Sequence, residues 1–142
     1  MPIAIPGSAR ALIETAPLAH VVSINPDGSP QVSCVWIGAD DEGLFFASLL
    51  EHQKIRNFRR DNHVVVSLES PTRADWGAQE CLVIYGTAEV CEGGAPEKLQ
   101  QLAHTYIGPN AVFPNMVDPP GGFVVRITPE RVRGVGPWME GK

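Results

Sequence analysis

Cationic side chains cluster in one short stretch of a chain that is otherwise acidic. Within seven residues lie Lys54, Arg56, Arg59 and Arg60. The 142-residue sequence has only 11 Lys and Arg against 16 Asp and Glu, a formal net charge of -5. Lys54 lies near the amino end of a predicted helix, where backbone N–H groups favour anions, and Ser48 just before it could donate a hydroxyl. The cluster therefore predicts a phosphate-binding corner, with a solvated helix face as the alternative.

Several flat or amide side chains could contact a planar ligand. Ser33 and Trp36 fall on a predicted strand, and Trp36 with Val35 could form a wall against a flat ring. A core or dimer contact is the alternative for Trp36. The other flat or amide groups in loop or terminal positions are Trp76, Gln79 and Trp138. Aromatic residues within Gly- and Pro-rich flanks often cover ligands or partner subunits.

Motifs of nucleophilic or metal catalysis do not occur. The histidines lack metal-ligand spacing, so no metal site is predicted, and neither a GxSxG elbow nor a phosphate loop is present. No residue is singled out as catalytic. The three cysteines form no CxxC pair, which favours a reducing, cytoplasmic setting. Cys34 lies in the middle of a predicted strand, which predicts a buried and inert thiol.

Length and composition narrow the class of protein. The 142 residues, 44% of them hydrophobic, predict a single domain spanning residues 1–142 with a substantial core. The acidic balance argues against a nucleic-acid partner, which needs a broad basic surface. No window approaches the roughly 20 apolar residues of a membrane span, and the first residues do not predict a signal peptide. We therefore expect neither nucleic acid nor membrane as a partner.

The elements that must position these residues are short and mostly β. Gly and Pro number 14 and 13, which is typical of many turns. Helices are predicted at residues 8–15, with Ser8 as the N-cap, at 51–61, and from Pro96 onward. Strands are predicted at residues 19–24, 30–37, 44–48, 64–69, 80–89, 123–127 and 131–135. Residues 25–28 join the first two strands as a hairpin turn. Such antiparallel strands commonly close into a barrel.

The ordered set of motifs resembles the pyridoxamine 5'-phosphate oxidase-like superfamily, whose members bind flavin or deazaflavin. The most recognisable piece runs from Lys54 to Asp61 (Lys-x-Arg-Asn-x-x-x-Asp) and precedes a β-branched strand. The ending at residues 131–138 is similar to the deazaflavin-dependent branch. The resemblance covers nearly the whole chain and is weakest at residues 91–120. It implies a β-rich fold with small helices, a six- to seven-stranded antiparallel split β-barrel.

The resemblance also implies a cofactor site between two subunits of a homodimer. The strand at Val32, Ser33, Val35 and Trp36 would line the isoalloxazine-like ring. Ser48 and Lys54 would hold the phosphate. The residues implied to assist them or to lie near the site are Gln53, Arg56, Asn57, Trp76, Gln79 and Trp138. Arg56, Arg59 and Arg60 could also meet an anionic cofactor tail, although screening keeps that attraction local.

One departure from the family pattern bears on the cofactor. True pyridoxamine-phosphate oxidases have basic residues at both ends of the strand matching residues 30–37, and this sequence has none from 30 to 38. This argues against pyridoxamine phosphate as substrate. The expected function is hydride transfer from reduced coenzyme F420 to a small, flat, unsaturated organic acceptor. The alternatives are an FMN-dependent oxidase or reductase of the same fold, or a non-catalytic protein that binds F420, FMN or haem.

Overall fold

A computed structural model describes residues 1–140 as one curved antiparallel sheet flanked by short helices. Over those residues the helices are α1 (Gly7–Glu14), α2 (Gln53–Arg60) and α3 (Ala95–Tyr106), with a 3-10 turn at Pro137–Met139. The strands are β1 (Ala19–Ile24), β2 (Pro30–Val35), β3 (Gly38–Asp40), β4 (Gly43–Ser48), β5 (His63–Arg73), β6 (Gln79–Glu92) and β7 (Phe123–Val135). Their order across the sheet is β2-β1-β5-β6-β7-β4-β3. The predicted β-rich, antiparallel split-barrel class is confirmed.

Chain connectivity curls this sheet into a barrel that stays open along one seam. The two outermost strands, β2 and β3, are separated only by Trp36 and Ile37. Three Cα steps span at most about 11 Å, so the two edges of the sheet must approach each other. They do not pair, because β2 pairs with β1 and β3 with β4. Trp36 therefore lies at the seam of the split barrel.

The inner face of the sheet forms the main core, and α2 packs onto it. Along β1, residues alternate between buried and partly exposed, as expected for a strand with one face inside. Ile55 and Phe58 of α2 are 0% and 3% exposed, and the Phe58 ring lies 6.3 Å from that of Phe46 on β4. Burying a side chain of this size stabilises the fold by about 1.5–3 kcal/mol. This packing places the charged α2 beside the end of β4.

A second, smaller cluster holds α3 against the outside of the sheet. Phe45 precedes Phe46 and therefore points to the opposite face, where it packs with Leu102 of α3 and Val124 of β7. Trp36 and Tyr106 are partly buried against the same cluster. Because α3 lies outside the barrel beside the seam, it covers the region where β2 crosses to β3.

Several predicted boundaries are wrong, and their errors have physical causes. The strands predicted at 123–127 and 131–135 are one strand, because the pairing register shifts where Pro129 lies opposite Gly86. A bulge accommodates proline within a sheet, and the absence of a Cβ on Gly86 lets the Thr128 carbonyl approach. The strand predicted at 30–37 ends at Val35, where the chain leaves β2 to cross the seam.

The remaining differences concern element ends. β5 continues to Arg73, beyond the predicted end at residue 69, and β6 extends over Gln79–Glu92. α1 begins at Gly7, and the Pro6 carbonyl, rather than Ser8, accepts the first N–H bonds, from Ala9 and Arg10. Among residues 1–140, no helix has the length and apolar character that crossing a bilayer requires. In the same residues no group of three or more His, Cys, Asp and Glu is placed to hold a metal.

Candidate functional site

A cleft of about 560 Å³ opens beside the seam, between β2, the end of β4, the start of α2 and the segment that follows α3. Its polar lining residues are Cys34, Ser48, His52 and Lys54. Its apolar lining residues are Leu18, Val35, Trp36, Ala47, Leu49, Leu50, Leu99, Phe113, Met116 and Pro120. The cleft thus has one cationic, hydrogen-bonding corner and otherwise apolar walls, which suits a flat ligand carrying one anionic group.

Ser48 builds the corner at the point where β4 ends. Its side chain is buried, and Oγ donates to the Leu50 carbonyl at 2.8 Å, which fixes the turn toward α2. Gly122 closes the corner from behind with a φ of +63°. A Cβ there would meet the Ser48 carbonyl and would lie 2.9 Å from Leu49 Cα. Only glycine therefore lets the chain entering β7 approach the corner this closely.

Lys54, the second residue of α2, extends into this corner without a counter-charge. It is partly buried and lines the cleft, and over residues 1–140 its ammonium makes neither a salt bridge nor a hydrogen bond. Burial lowers the pKa of Lys54 below its ordinary value, because removing water disfavours the charged form. A ligand anion would restore the lost solvation, so the corner is electrostatically prepared for one negative charge.

The arginines of α2 are engaged with other parts of the chain. Arg59 binds the carboxylates of Glu51 at 2.6 Å and Glu92 at 3.0 Å. Arg56 donates to the Glu51 carbonyl, and Arg60 donates to the Ile24 carbonyl. None of these three guanidinium groups lines the cleft. The structure therefore separates the cationic cluster: Lys54 faces the cleft, whereas the arginines that could have met an anionic tail hold the fold.

Gln53 and Asn57 also make contacts within the protein. Asn57 is 0% exposed, and its Nδ2 donates to Ser23 Oγ at 2.9 Å and to Asn25 Oδ1 at 3.0 Å. Gln53 Nε2 donates to Asn57 Oδ1 at 2.8 Å. Neither residue lines the cleft. Asn57 thus joins α2 to the β1–β2 hairpin, and its implied part at a phosphate stays a prediction.

Two aromatic rings, those of Trp36 and Phe113, line one wall of the cleft, and Tyr106 packs against Trp36. Trp36 stacks on Tyr106 with centroids 5.5 Å apart and an interplanar angle of 18°. Phe113 meets the same indole edge-on at 5.4 Å. The Tyr106 hydroxyl donates to the Pro17 carbonyl at 2.6 Å and accepts the Ile37 N–H at 3.0 Å, while burial raises the pKa of Tyr106. The Tyr106 side chain therefore fixes both the crossing from β2 to β3 and the indole ring of Trp36.

The other residues predicted on β2 divide between two faces. Val35 lines the cleft with Trp36. Val32 is 57% exposed on the outer face, and Ser33, opposite the buried Val21, accepts a hydrogen bond from Gln31 Nε2 at 2.9 Å. Cys34 is exposed and lines the cleft, so the prediction of a buried thiol is wrong: alternation along β2 points it outward.

The three predicted residues at the periphery lie outside this cleft. Trp76 is 76% exposed in the turn between β5 and β6, and Gln79 donates to the Ser70 carbonyl. Trp138 is 3% exposed in the main core, where Nε1 donates to the Cys81 carbonyl at 3.2 Å. Burial therefore gives Trp138 a packing role within the protomer.

Sequence reasoning missed part of the cleft. The lining residues that were not predicted as site residues are Leu18, Cys34, Ala47, Leu49, Leu50, His52, Leu99, Phe113, Met116 and Pro120. His52 could have been found, because it lies two residues before Lys54 at the predicted helix start. Phe113 belongs to a proline-rich stretch at residues 108–122, whose approach to Trp36 follows from the course of the chain rather than from any local pattern.

Comparisons with known proteins agree with this architecture. The family model described as pyridoxamine 5'-phosphate oxidase matches residues 5–136. Among solved structures, an F420 reductase is 24% identical with a TM-score of 0.71, covering 87% of this chain and 94% of that one. A conserved hypothetical protein from Mycobacterium tuberculosis is 21% identical with a TM-score of 0.73, covering 94% and 85% of the two chains.

A haem storage protein from Vibrio cholerae also has this fold. It is 12% identical, with a TM-score of 0.63, and the match covers 93% of this chain and 95% of that one. No curated protein matches the sequence. At such identities these neighbours establish a shared fold.

Proposed function

The chain belongs to the pyridoxamine 5'-phosphate oxidase family, and from that premise we propose that it is an F420-dependent reductase. Reduced F420, when bound, supplies a hydride to a small, flat, unsaturated organic acceptor. The protein's part is to hold the cofactor's ring and phosphate, exclude water and orient the acceptor. Positioning of this kind supplies several kcal/mol of a reaction barrier, about 7–11 kcal/mol in the most favourable cases.

The observation that carries the proposal is the unpaired Lys54 at the corner of an apolar cleft. A partly desolvated ammonium without a counter-charge is unfavourable unless a ligand brings an anion. Ser48, at the same corner, has oxygen lone pairs and a rotatable hydroxyl, which can turn from the Leu50 carbonyl to a phosphate oxygen. Together these two residues would hold one phosphate group.

The charge at this corner favours a phosphodiester over a phosphate monoester. A monoester such as that of FMN carries about -1.5 to -2 charges near neutral pH, whereas the F420 phosphodiester carries one. The corner offers one ammonium, since β2 has no basic residue and the three arginines of α2 contact other groups. One cation matches one negative charge. An F420 reductase with the same fold gives further support.

The acceptor is proposed to lie against the apolar side of the cleft. Leu99, Phe113, Met116 and Pro120 bring no charge there, so a carboxylate or ammonium on the acceptor would be desolvated without compensation. Trp36 and Phe113 offer ring faces and edges that suit a planar molecule. No side chain is assigned as the proton donor, and solvent would deliver the proton.

A homodimer is part of the proposal. Leu18, Leu50 and Met116 line the cleft and yet are 51%, 60% and 52% exposed. Apolar side chains clustered at the mouth of a cleft are typical of a surface covered by a partner. Trp76, 76% exposed on the β5–β6 turn, is proposed to contact the second copy. Sedimentation of the purified protein as a monomer would contradict this part.

Titration of the purified protein with F420 and with FMN tests the cofactor. We expect saturable F420 binding and a clear preference over FMN, followed by oxidation of reduced F420 when enones or quinones are added. A preference for FMN would overturn the proposal in favour of the FMN-dependent alternative. Absorbance distinguishes the two, because bound FMN is yellow and absorbs at longer wavelength than the deazaflavin.

The second candidate, binding without turnover, rests on His52. An imidazole beside an apolar cleft is a potential haem ligand, and a haem storage protein has the same fold. Haem titration of the wild type and His52→Ala discriminates the two. A haem spectrum that depends on His52, together with no consumption of reduced F420 by any acceptor, would favour this candidate.

A further inference from the structure

A continuous chain of side-chain hydrogen bonds joins α2 to β2 by way of β1. It begins at Asn57, whose Nδ2 donates to Ser23 Oγ on β1 at 2.9 Å. Ser23 Oγ donates to Gln31 Oε1 at 2.9 Å, and Gln31 Nε2 donates to Ser33 Oγ on β2 at 2.9 Å. Asn57 and Ser23 are both 0% exposed. The chain of bonds thus starts in the protein interior and ends at partly exposed side chains of β2, and it joins the helix of the phosphate corner to the strand that leads to the aromatic wall.

Two more contacts join the same amide to the start of α2 and to the hairpin turn. Asn57 Oδ1 accepts a hydrogen bond from Gln53 Nε2 at 2.8 Å, and Gln53 is the residue before Lys54. Asn57 Nδ2 also donates to Asn25 Oδ1 at 3.0 Å, in the hairpin turn that joins β1 to β2. No buried side-chain nitrogen or oxygen among residues 1–140 lacks a hydrogen-bond partner. A satisfied, partly buried network of this kind favours one arrangement of the elements it joins.

We infer that Asn57 is a positioning residue, which sets the distance and angle between Lys54 at the phosphate corner and Trp36 at the aromatic wall. This inference rests on the proposed function, because it assumes that one ligand spans both ends of the cleft. Lys54 is carried by α2 and Trp36 directly follows β2, and the amide of Asn57 joins these two elements through Ser23 and Gln31. Rigid support from residues behind a site keeps the binding groups in productive geometry.

Asn57 acts through other residues rather than by contact with the ligand. It does not line the cleft and is wholly buried, so its side chain reaches a bound molecule only through the helix that carries Lys54. Loss of its amide would leave α2 free to shift against the hairpin, and Lys54 would then meet the anion less well. Its effect on binding should therefore disappear once Lys54 itself has been removed.

A double-mutant cycle on F420 affinity tests this coupling. Asn57→Ala is expected to weaken binding about tenfold, and Lys54→Ala by about 5- to 150-fold. The double variant should bind within about twofold of Lys54→Ala alone, since Asn57 acts through Lys54. Ser23→Ala, a smaller change in the same chain of bonds, should weaken binding about threefold and show the same dependence on Lys54.

Phe58→Leu is the matched control. Phe58 lies on the same helix, packs against Phe46 and takes no part in the hydrogen bonds, so its shortening changes the packing of α2 and leaves the link intact. Its effect on F420 affinity should be less than about twofold, well below that of Asn57→Ala. If Asn57→Ala fails to fold, Ser23→Ala carries the test alone.

Independent, multiplicative effects of Asn57→Ala, or of Ser23→Ala, with Lys54→Ala would overturn the inference. Affinities of Asn57→Ala and Ser23→Ala equal to that of wild type would overturn it as well. Failure of the proposed function looks different, because the wild type itself would then show no F420 binding at micromolar protein. The F420 affinity of the wild type, measured first, therefore distinguishes failure of the proposed function from failure of this inference.

Discussion

The two ends of α2 have the same charge and different roles. At its start, Lys54 faces the cleft with no counter-charge among the described residues. At its end, Arg59 is held by two carboxylates and lies 5.1 Å from the Phe123 ring centroid. An unpaired cation in a partly desolvated corner favours ligand binding at the expense of the ligand-free fold, whereas a paired one stabilises the fold and attracts no ligand.

The partners of each residue create this difference. Arg59 reaches two carboxylates, that of Glu51 just before α2 and that of Glu92 at the end of β6. Lys54 is the residue of α2 that lines the cleft, where no carboxylate lies among the described lining residues. One cationic sequence cluster therefore contains a group that we propose binds a ligand and a group that stabilises the fold, and only the fold distinguishes them.

The largest effect on stability is expected at Gly122, whose backbone packs against the corner that precedes the start of α2. Gly122→Ala places a Cβ against the Ser48 carbonyl and 2.7 Å from the Ala95 Cβ, at a φ of +63°. We expect the free energy of unfolding to fall by about 2–4 kcal/mol, because left-handed strain and overpacking add. Urea denaturation measures this.

Gly121→Ala is the matched control for that variant. A Cβ at Gly121 would lie 3.5 Å from Gly93 Cα, an ordinary contact. Its unfolding free energy should change by less than about 0.5 kcal/mol. Equal losses in the two variants would show that the corner does not depend on the close approach of Gly122.

The second effect distinguishes the two ends of α2 by how much each contributes to F420 affinity. Lys54→Ala removes the corner's cation and should weaken F420 binding by about 1–3 kcal/mol, the cost of a lost charge-assisted hydrogen bond. Isothermal titration calorimetry of both proteins measures it. Unchanged affinity would mean that Lys54 is only part of a solvated helix face, and the contrast between the ends of α2 would fail.

The sequence predicted the elements better than the roles of buried side chains. The strand at residues 19–24 and the turn at Asn25 have local signals, and both agree with β1 and its hairpin. The strands predicted at 123–127 and 131–135 are one strand, because a bulge opposite Gly86, a residue more than forty positions away, accommodates Pro129. Long-range pairing of this kind leaves no mark on the local pattern.

For the cleft, the sequence indicated which side chains are of a type that could bind a ligand, but it did not indicate which of them are buried. Four of the residues predicted from the resemblance, Val35, Trp36, Ser48 and Lys54, line one cleft. Asn57 and Trp138 have side chains equally suited to binding, but tertiary packing buries both, at 0% and 3% exposure. Whether a polar or aromatic side chain faces inward depends on which element covers it, and a sequence segment alone does not contain that information.

A third, smaller effect should appear at the structural end. Arg59→Ala removes two partly exposed salt bridges and one contact with an aromatic ring, so the unfolding free energy should fall by about 0.5–1 kcal/mol. F420 affinity should stay within about twofold of wild type, because Arg59 lies outside the cleft. Thermal unfolding at low and high salt, with titrations alongside, measures both quantities. A loss of affinity matching that of Lys54→Ala would show that the two ends act together.

The smallest effect concerns the ligand-free protein, where Lys54→Met should be slightly more stable than wild type. Burial holds the folded-state pKa of Lys54 below its unfolded value, so the unfolded chain binds more protons between those two pKa values. Wild-type stability should therefore rise with pH across that window, relative to Lys54→Met, and F420 affinity should fall across it as the ammonium loses its proton. Denaturation and titration of both proteins as a function of pH measure these slopes. If the wild type loses stability relative to Lys54→Met as pH rises, the ammonium is already paired in the ligand-free fold, and Lys54 belongs with Arg59 as a structural cation.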